Sequence, residues 1–173
     1  MKINLLSYDG LRPDKRAIAK CIVEISTNIN ESLSNELTNV LLDGDIVRDF
    51  YDNDLGYSRE DRIANIKRIM LSAYVLEQNG IVPIVCNISP FEHLRSFCRK
   101  KFDDYNEIFL LKNLDIAKSN DVKKVYRENI KRTLLVGVDI AFENPQKSNL
   151  IVEVDKEDVE TSFRKIINYL EEK

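Results

Sequence analysis

A chain of 173 residues is long enough to bury roughly two-thirds of its unfolded surface in one core and too short for two ordinary domains. With 26 basic against 29 acidic residues and a formal charge of -3, it has neither the basic stripe that nucleic acid requires nor a polybasic tail for a membrane surface. Its three cysteines, Cys21, Cys86 and Cys98, sit inside apolar patterns with no Cys-x-x-Cys pair, which reads as small buried hydrophobes in a reducing compartment and argues against a disulfide framework.

The first segment, Met1 to Asp9, reaches charge after only a few apolar residues. It therefore reads as neither signal peptide nor membrane span, and a cytoplasmic protein is expected. Within it, Ile3 to Ser7 is the first of five short apolar runs of the kind that form strands buried on both faces. After the polar stretch Asp9 to Arg16, Ile18, Cys21, Ile22 and Ile25 recur at helical spacing. Val40 to Leu42 is the second run, and Asp43-Gly44-Asp45 follows it. Asp45 is expected either to cap a short helix beginning at Ile46 or to take part in chemistry. Ser58-x-x-Asp61 boxes the start of a helix carrying Ile63, Ile66, Met70 and Ala73, and Gly80 closes it.

Ile81 to Ile88 is the third run. Its Pro83 lacks a ladder donor and belongs near the strand's beginning. Glu107 to Leu111 is the fourth. The segment Ser119 to Asn149 is long, polar and weakly periodic, the signature of a mobile lid. Leu150 to Val154 is the fifth run, and Val159, Phe163, Ile166, Ile167 and Leu170 mark a final amphipathic helix. Strands alternating with helices predict a single α/β domain over residues 1–173, a three-layer parallel sheet flanked by helices.

Open parallel sheets bind ligands beyond the carboxyl ends of their strands. Those positions hold Asp9 to Arg16, then Asp43, Gly44, Asp45 and Arg48, then Ser89, Pro90 and Phe91. Two carboxylates separated by one glycine suit a hydrated magnesium ion, or a proton drawn from an attacking hydroxyl. The single histidine, His93, has no companions for a zinc centre or a Ser-His-Asp triad and reads as a surface residue.

From Val40 onward the residues carry a resemblance. Leu42-Asp43-Gly44-Asp45-x-Val47-Arg48, then Leu55-Gly56-Tyr57-Ser58 with Asp61-Arg62-x-x-Asn65-Ile66, then Ile88-Ser89-Pro90-Phe91 with Arg95 beyond, then Asp121-Val122-Lys123-x-x-Tyr126 and Gly137-Val138-Asp139 resemble, in order, the motifs of the adenylyl-sulfate kinase family. That resemblance implies a P-loop kinase fold and phosphoryl transfer from ATP, with Mg2+, to the 3′-hydroxyl of adenylyl sulfate or a similar nucleotide anhydride. It also implies a homodimer and a place in sulfate assimilation. By the same resemblance Arg48, Arg62, Asn65, Ile88, Ser89 and Lys123 surround the acceptor's sulfate, phosphate and sugar, and Tyr57 covers the adenine as the family's phenylalanine does. Asp45 lies at the ribose hydroxyl and Asp43 near the metal. The serine matching Ser89 can be phosphorylated in bacterial members.

The donor side departs from the family. A phosphate loop reads Gly-x-x-x-x-Gly-Lys-Ser/Thr, because glycines let backbone N–H groups curl around phosphate, lysine bridges the outer phosphates and the hydroxyl holds magnesium. Here the chain has Asp9-Gly10-Leu11-Arg12-Pro13-Asp14-Lys15-Arg16. Aligned on Lys15, both glycines become aspartates and the hydroxyl becomes Arg16, while Pro13 removes an amide. Aligned on Gly10, the lysine falls one place early. A carboxylate such as Asp14 about 4 Å from a phosphate charge costs on the order of 4 kcal/mol at an effective dielectric near 20. That weakens ATP binding by about a thousandfold. Arg12, Lys15 and Arg16 remain as three cations for an anion in another geometry, with a solvated helix surface as the alternative.

Two further departures are Asn120-Asp121, where the family has Arg-Asp near the donor adenine, and Asn87, where an aromatic usually precedes Ile-Ser-Pro. Two functions of different class follow: a phosphotransferase in which Lys15 and magnesium neutralise the moving phosphoryl group while Asp45 positions the hydroxyl, and a non-catalytic nucleotide-binding relative that keeps the acceptor pocket. A structural partner of an intact kinase subunit is a third.

Overall fold

The computed structural model describes the backbone of residues 2–7 together with residues 39–111, 134, 136, 137 and 139–172. The sequence features at Asp9 to Arg16, Ile18 to Ile25 and Lys123, and with them Arg12, Lys15 and Arg16, lie outside the described residues. The elements run β1 (Lys2–Ser7), β2 (Asn39–Asp43), α1 (Gly44–Phe50), α2 (Arg59–Gln78), β3 (Val82–Asn87), α3 (Glu92–Lys101), β4 (Tyr105–Leu111), β5 (Leu150–Glu153) and α4 (Val159–Glu171).

Each apolar run of the sequence is a strand, and all pair in parallel in the order β2-β3-β1-β4-β5. Alternate residues serve opposite faces, as the two-residue period of a strand requires. Val85 and Phe109 pack with Ile66, Met70 and Ala73 of α2 and with Leu94 and Cys98 of α3. Their neighbours Ile84, Cys86, Ile108 and Leu110 pack on the other side with Val152 and with Phe163 and Ile166 of α4. The result is the three-layer α/β arrangement expected from the sequence. Pro83 is the second residue of β3, opposite Val40, close to the strand's beginning as its missing donor demands.

The ends of the helices follow local chemistry. Ser58 caps α2: its hydroxyl accepts from the Asp61 N–H at 3.1 Å and donates to the Asp61 carboxylate at 2.8 Å. At the far end Gly80 adopts φ +72. There Gly80 N–H donates to Glu77 O and Ile81 N–H to Leu76 O, each at 3.0 Å, the paired bonds of a glycine-terminated helix. Asp158 caps α4 by accepting from Thr161 N–H at 2.8 Å.

The described carboxyl end of the segment Ser119 to Asn149 packs on the core. Val136 and Ile140 are bridged and buried, Phe142 stacks on Phe109 with ring centroids 5.7 Å apart, and Pro145 is buried. Asn149 N–H donates to Glu107 O at 2.7 Å while its side chain accepts from Glu107 N–H at 2.8 Å. These anchors are spaced too irregularly to register as a period, yet each is held by the core. Replacing Ser58 by alanine is expected to lower stability by about 1 kcal/mol in urea titration. An unchanged midpoint would contradict the hydroxyl's capping role.

Candidate functional site

The parallel register sets Asp43 opposite Cys86, one residue before the end of β3. An open cleft of about 660 Å³ begins there, and Asp43, Asp45, Arg48, Tyr57, Arg62, Asn65, Ile88 and Ser89 all line it. Asp43 ends β2 and caps α1, its carboxylate accepting from Asp45 N–H at 2.8 Å. The capping role expected of Asp45 therefore belongs to Asp43, and the helix starts at Gly44 instead of Ile46. Asp45 falls in the first turn of α1, half-buried on the cleft. A Cβ at Gly44 would meet Ile69 Cδ1 at 3.5 Å and Asn87 Cβ at 3.6 Å, ordinary van der Waals contact.

One wall is cationic. Arg48 is buried, and its Nη1 donates to Leu55 O at 3.1 Å and Gly56 O at 2.9 Å. Arg62 donates from Nε to Tyr57 O at 3.1 Å and from Nη2 to Leu134 O at 2.5 Å. Both guanidiniums lie against the Tyr57 ring, 4.8 Å and 5.3 Å from its centroid. Burial pushes the Arg62 pKa down, the charge of Arg48 pushes it further, and Tyr57 opposes both. Among the described residues no carboxylate pairs with either arginine. Two neighbouring cations in a partly dry cleft, paired with no carboxylate among the described residues, are an arrangement that an anion relieves.

The turn after β3 also lines the cleft. Ser89 is buried and adopts φ +42, a left-handed conformation that costs a non-glycine residue on the order of 1 kcal/mol or more. Arg95 holds it there. Fully buried, Arg95 donates from Nη1 to Ser89 O at 2.7 Å, from Nη2 to Glu143 O, and to Glu92 Oε2 at 2.7 Å. Glu143 N–H in turn donates to Pro90 O at 2.9 Å, and its carboxylate accepts from Glu92 N–H at 2.6 Å. Behind this tie lies Glu107, also fully buried, which accepts from Arg99 and from Tyr105 Oη at 3.1 Å and stands 3.8 Å from Arg95.

Burial pushes the Glu107 pKa up and outweighs the opposing pull of Arg99, Tyr105 and Arg95. For Glu92 burial also pushes up, but the hydrogen bond and charge of Arg95 with the charge of Arg99 hold it below its usual range. The sequence reading placed Arg95 beyond a motif without a role and missed Arg99, Glu107 and Glu143 as a cluster. A glutamate heading the apolar run of β4 was the available signal.

Two amides complete the floor. The Oδ1 atoms of Asn65 and Asn87 are buried without hydrogen-bond partners, while Asn65 Nδ2 donates to Gly44 O at 3.3 Å. The Asp43 carboxylate on the cleft is a donor of the kind magnesium takes, since that ion binds one or two carboxylates and keeps its waters. Among the described residues no three His, Cys, Asp or Glu side chains group as an all-protein metal cage. His93 is exposed and stacks on Phe91 at 5.9 Å.

Replacing Arg95 by methionine is expected to cost about 3–5 kcal/mol in urea unfolding, because Glu92 and two carbonyls lose their buried partner. A loss below about 1 kcal/mol would contradict the tie. Glu107, with its raised pKa, retains a proton in the folded state that the unfolded chain releases above 4.5. Its contribution to stability therefore falls as pH rises from 4.5 towards the folded-state value. Glu107→Gln should flatten that fall in urea midpoints measured against pH.

Comparison with known proteins supplies the context. Residues 18–153 match the family profile of adenylylsulphate kinase. The chain is 37% identical over 134 residues to the adenylyl-sulfate kinase of Halothermothrix orenii, covering 76% of this chain and 72% of that protein. Among solved structures, the Mycobacterium tuberculosis APS kinase in complex with AMPPNP and APS superposes with a TM-score of 0.78 at 25% identity, covering 98% of both chains. A hexameric APS kinase from Thiobacillus denitrificans shares the fold with a TM-score of 0.70 at 18% identity, covering 99% of this chain and 29% of that one.

Proposed function

The chain belongs to the adenylylsulphate kinase family, and from that premise we propose that its cleft binds adenylyl sulfate, or a closely similar nucleotide anhydride, as phosphoryl acceptor. The observation that carries this reading is the pair Arg48 and Arg62, adjacent, partly dry and lining the cleft with no carboxylate paired to either among the described residues. The acceptor's phosphosulfate supplies the counter-charge. Tyr57 offers a ring beside the same cations for the base, and Ile88, Ser89, Asn65 and Lys123 complete the grip. Asp45 positions the ribose 3′-hydroxyl and takes its proton as that oxygen bonds to the γ-phosphorus of ATP and the bond from that phosphorus to the bridging oxygen breaks, releasing ADP. Asp43 would hold magnesium, which when bound neutralises charge on the phosphoryl group. On the donor side Lys15, with Arg12 and Arg16, would neutralise the triphosphate of ATP. The fold class, the family and the motif order support a cytoplasmic protein of sulfate assimilation that works as a homodimer. No described helix is long and apolar enough to cross a membrane.

A second reading is favoured by one feature. Asp9, Asp14 and Arg16 stand where the phosphate loop needs two glycines and a hydroxyl, and a non-catalytic relative that senses or sequesters the acceptor would keep the cleft and lose this loop. Calorimetric titration separates the readings. Adenylyl sulfate is expected to give saturable binding under either, and its failure to bind would overturn both. ATP with magnesium that turns bound adenylyl sulfate into its 3′-phosphorylated product establishes the first; binding without turnover establishes the second. Arg48→Ala is expected to weaken adenylyl sulfate by on the order of ten- to a hundredfold, the value of a charged hydrogen bond. Unchanged affinity would remove Arg48 from the site.

A further inference from the structure

Asn87 ends β3 on the acceptor cleft and is 9% exposed, yet its Oδ1 is buried with no hydrogen-bond partner among the described residues. Asn65, 5% exposed on α2, leaves its own Oδ1 in the same condition while its Nδ2 donates to Gly44 O at 3.3 Å. A buried amide oxygen that meets no donor costs stability. At the end of an otherwise apolar strand, where the family resemblance has an aromatic, Asn87 is a residue that packing alone does not ask for.

Strand and helix periods bring the two amides together. Asn87 lies two residues beyond Val85, so alternation turns it to the face that α2 covers. Asn65 is one helical turn before Ile69, on the stripe of α2 that meets that face. A Cβ placed on Gly44 would stand 3.6 Å from Asn87 Cβ and 3.9 Å from Asn65 Nδ2. Both amides therefore border the glycine between Asp43 and Asp45. On its other side β3 pairs with β1, Leu6 opposite Asn87, which sets Asn87 between the aspartate turn and the carboxyl end of β1.

The unpartnered oxygens narrow the kind of ligand group that belongs over them. A phosphate or sulfate oxygen carries no hydrogen at neutral pH and leaves an amide oxygen unpaired, whereas a hydroxyl donates to it. Asp45, next to the glycine that the amides border, takes the 3′-hydroxyl in the reading given above. The 2′-hydroxyl, cis to it on the adjacent ribose carbon, then falls to the amides. We propose that Asn87 is a specificity-determining residue that accepts a hydrogen bond from the ribose 2′-hydroxyl of the acceptor, so that the cleft takes ribonucleotides and rejects their 2′-deoxy counterparts. This inference rests on the reading of the cleft as an acceptor-nucleotide site and adds the sugar class to it. A site built to bond a hydroxyl discriminates against a ligand without one, because its own polar group is then left buried and unpaired.

Calorimetric titration with adenylyl sulfate and with its 2′-deoxy analogue, on the native chain and its Asn87 variants, tests the assignment. The native chain is expected to bind the ribonucleotide more tightly by on the order of ten- to a hundredfold. In Asn87→Leu, which keeps the branching and loses the oxygen, the ratio should fall to within about threefold. Asn87→Asp, whose carboxylate still accepts, should keep the preference even where its charge weakens both nucleotides. Without ligand, Asn87→Leu should melt no lower than the native chain, since it removes a buried polar atom that no described residue satisfies. A native chain that binds neither nucleotide overturns the reading of the cleft and this inference with it. Equal binding of both by the native chain, or the native ratio kept in Asn87→Leu, overturns the inference alone. So does a ligand-free Asn87→Leu that melts several degrees lower, which would make the amide a structural group.

Discussion

The parallel pairing of β2 with β3 is the constraint on which the site depends. With Asp43 opposite Cys86, the aspartate-rich turn into α1 and the Ser89 turn out of β3 leave the sheet at one level and on the same side. A shift of one residue would send Asp43 to the opposite face, because side chains alternate along a strand. The register is secured by the core itself: Ile84 and Cys86 pack towards α4 and Val85 towards α2, so slipping would expose both sets at once. Function here inherits its geometry from hydrophobic alternation.

The cleft built on that register gathers charges of both signs. Arg48 and Arg62 flank Tyr57, and Asp43 and Asp45, at the start of the helix that carries Arg48, line the same cleft. A ligand with an anionic end and a hydroxyl end finds a partner for each there. The lining is not held by the ligand's own groups. Arg48 pins the carbonyls of Leu55 and Gly56, and Arg95 pins Ser89 and the chain at Glu143. Both arginines thereby exchange backbone hydrogen bonds for site rigidity, the arrangement that lets a pocket bind without first ordering itself.

Much of this was legible beforehand, for identifiable reasons. Unbroken apolar runs located the described strands to within a few residues, because a strand buried on both faces has no polar interruptions to blur it. Ser58 and Gly80 marked both ends of α2 because their chemistry is local. The choice between Asp43 and Asp45 as cap was not local: it depends on where β2 releases the chain, and two aspartates around one glycine look alike in sequence. The packing of Val136, Ile140 and Phe142 was hidden by irregular spacing. Least legible was the cluster of Glu92, Arg95, Arg99, Glu107 and Glu143, whose members meet only once α3, β4 and the returning chain are assembled. Of the site residues, Lys15, Arg12, Arg16 and Lys123 rest on the sequence alone.

The central claim is that one wall of the cleft receives the anionic part of an acceptor nucleotide while the aspartate turn receives its sugar. A crystal structure of the protein with adenylyl sulfate measures this most directly. Expected is the phosphosulfate between the Arg48 and Arg62 guanidiniums, with the ribose 3′-hydroxyl within hydrogen-bonding distance of the Asp45 carboxylate. A nucleotide bound outside the cleft, or lying in it with its anion turned away from both arginines, would contradict the account.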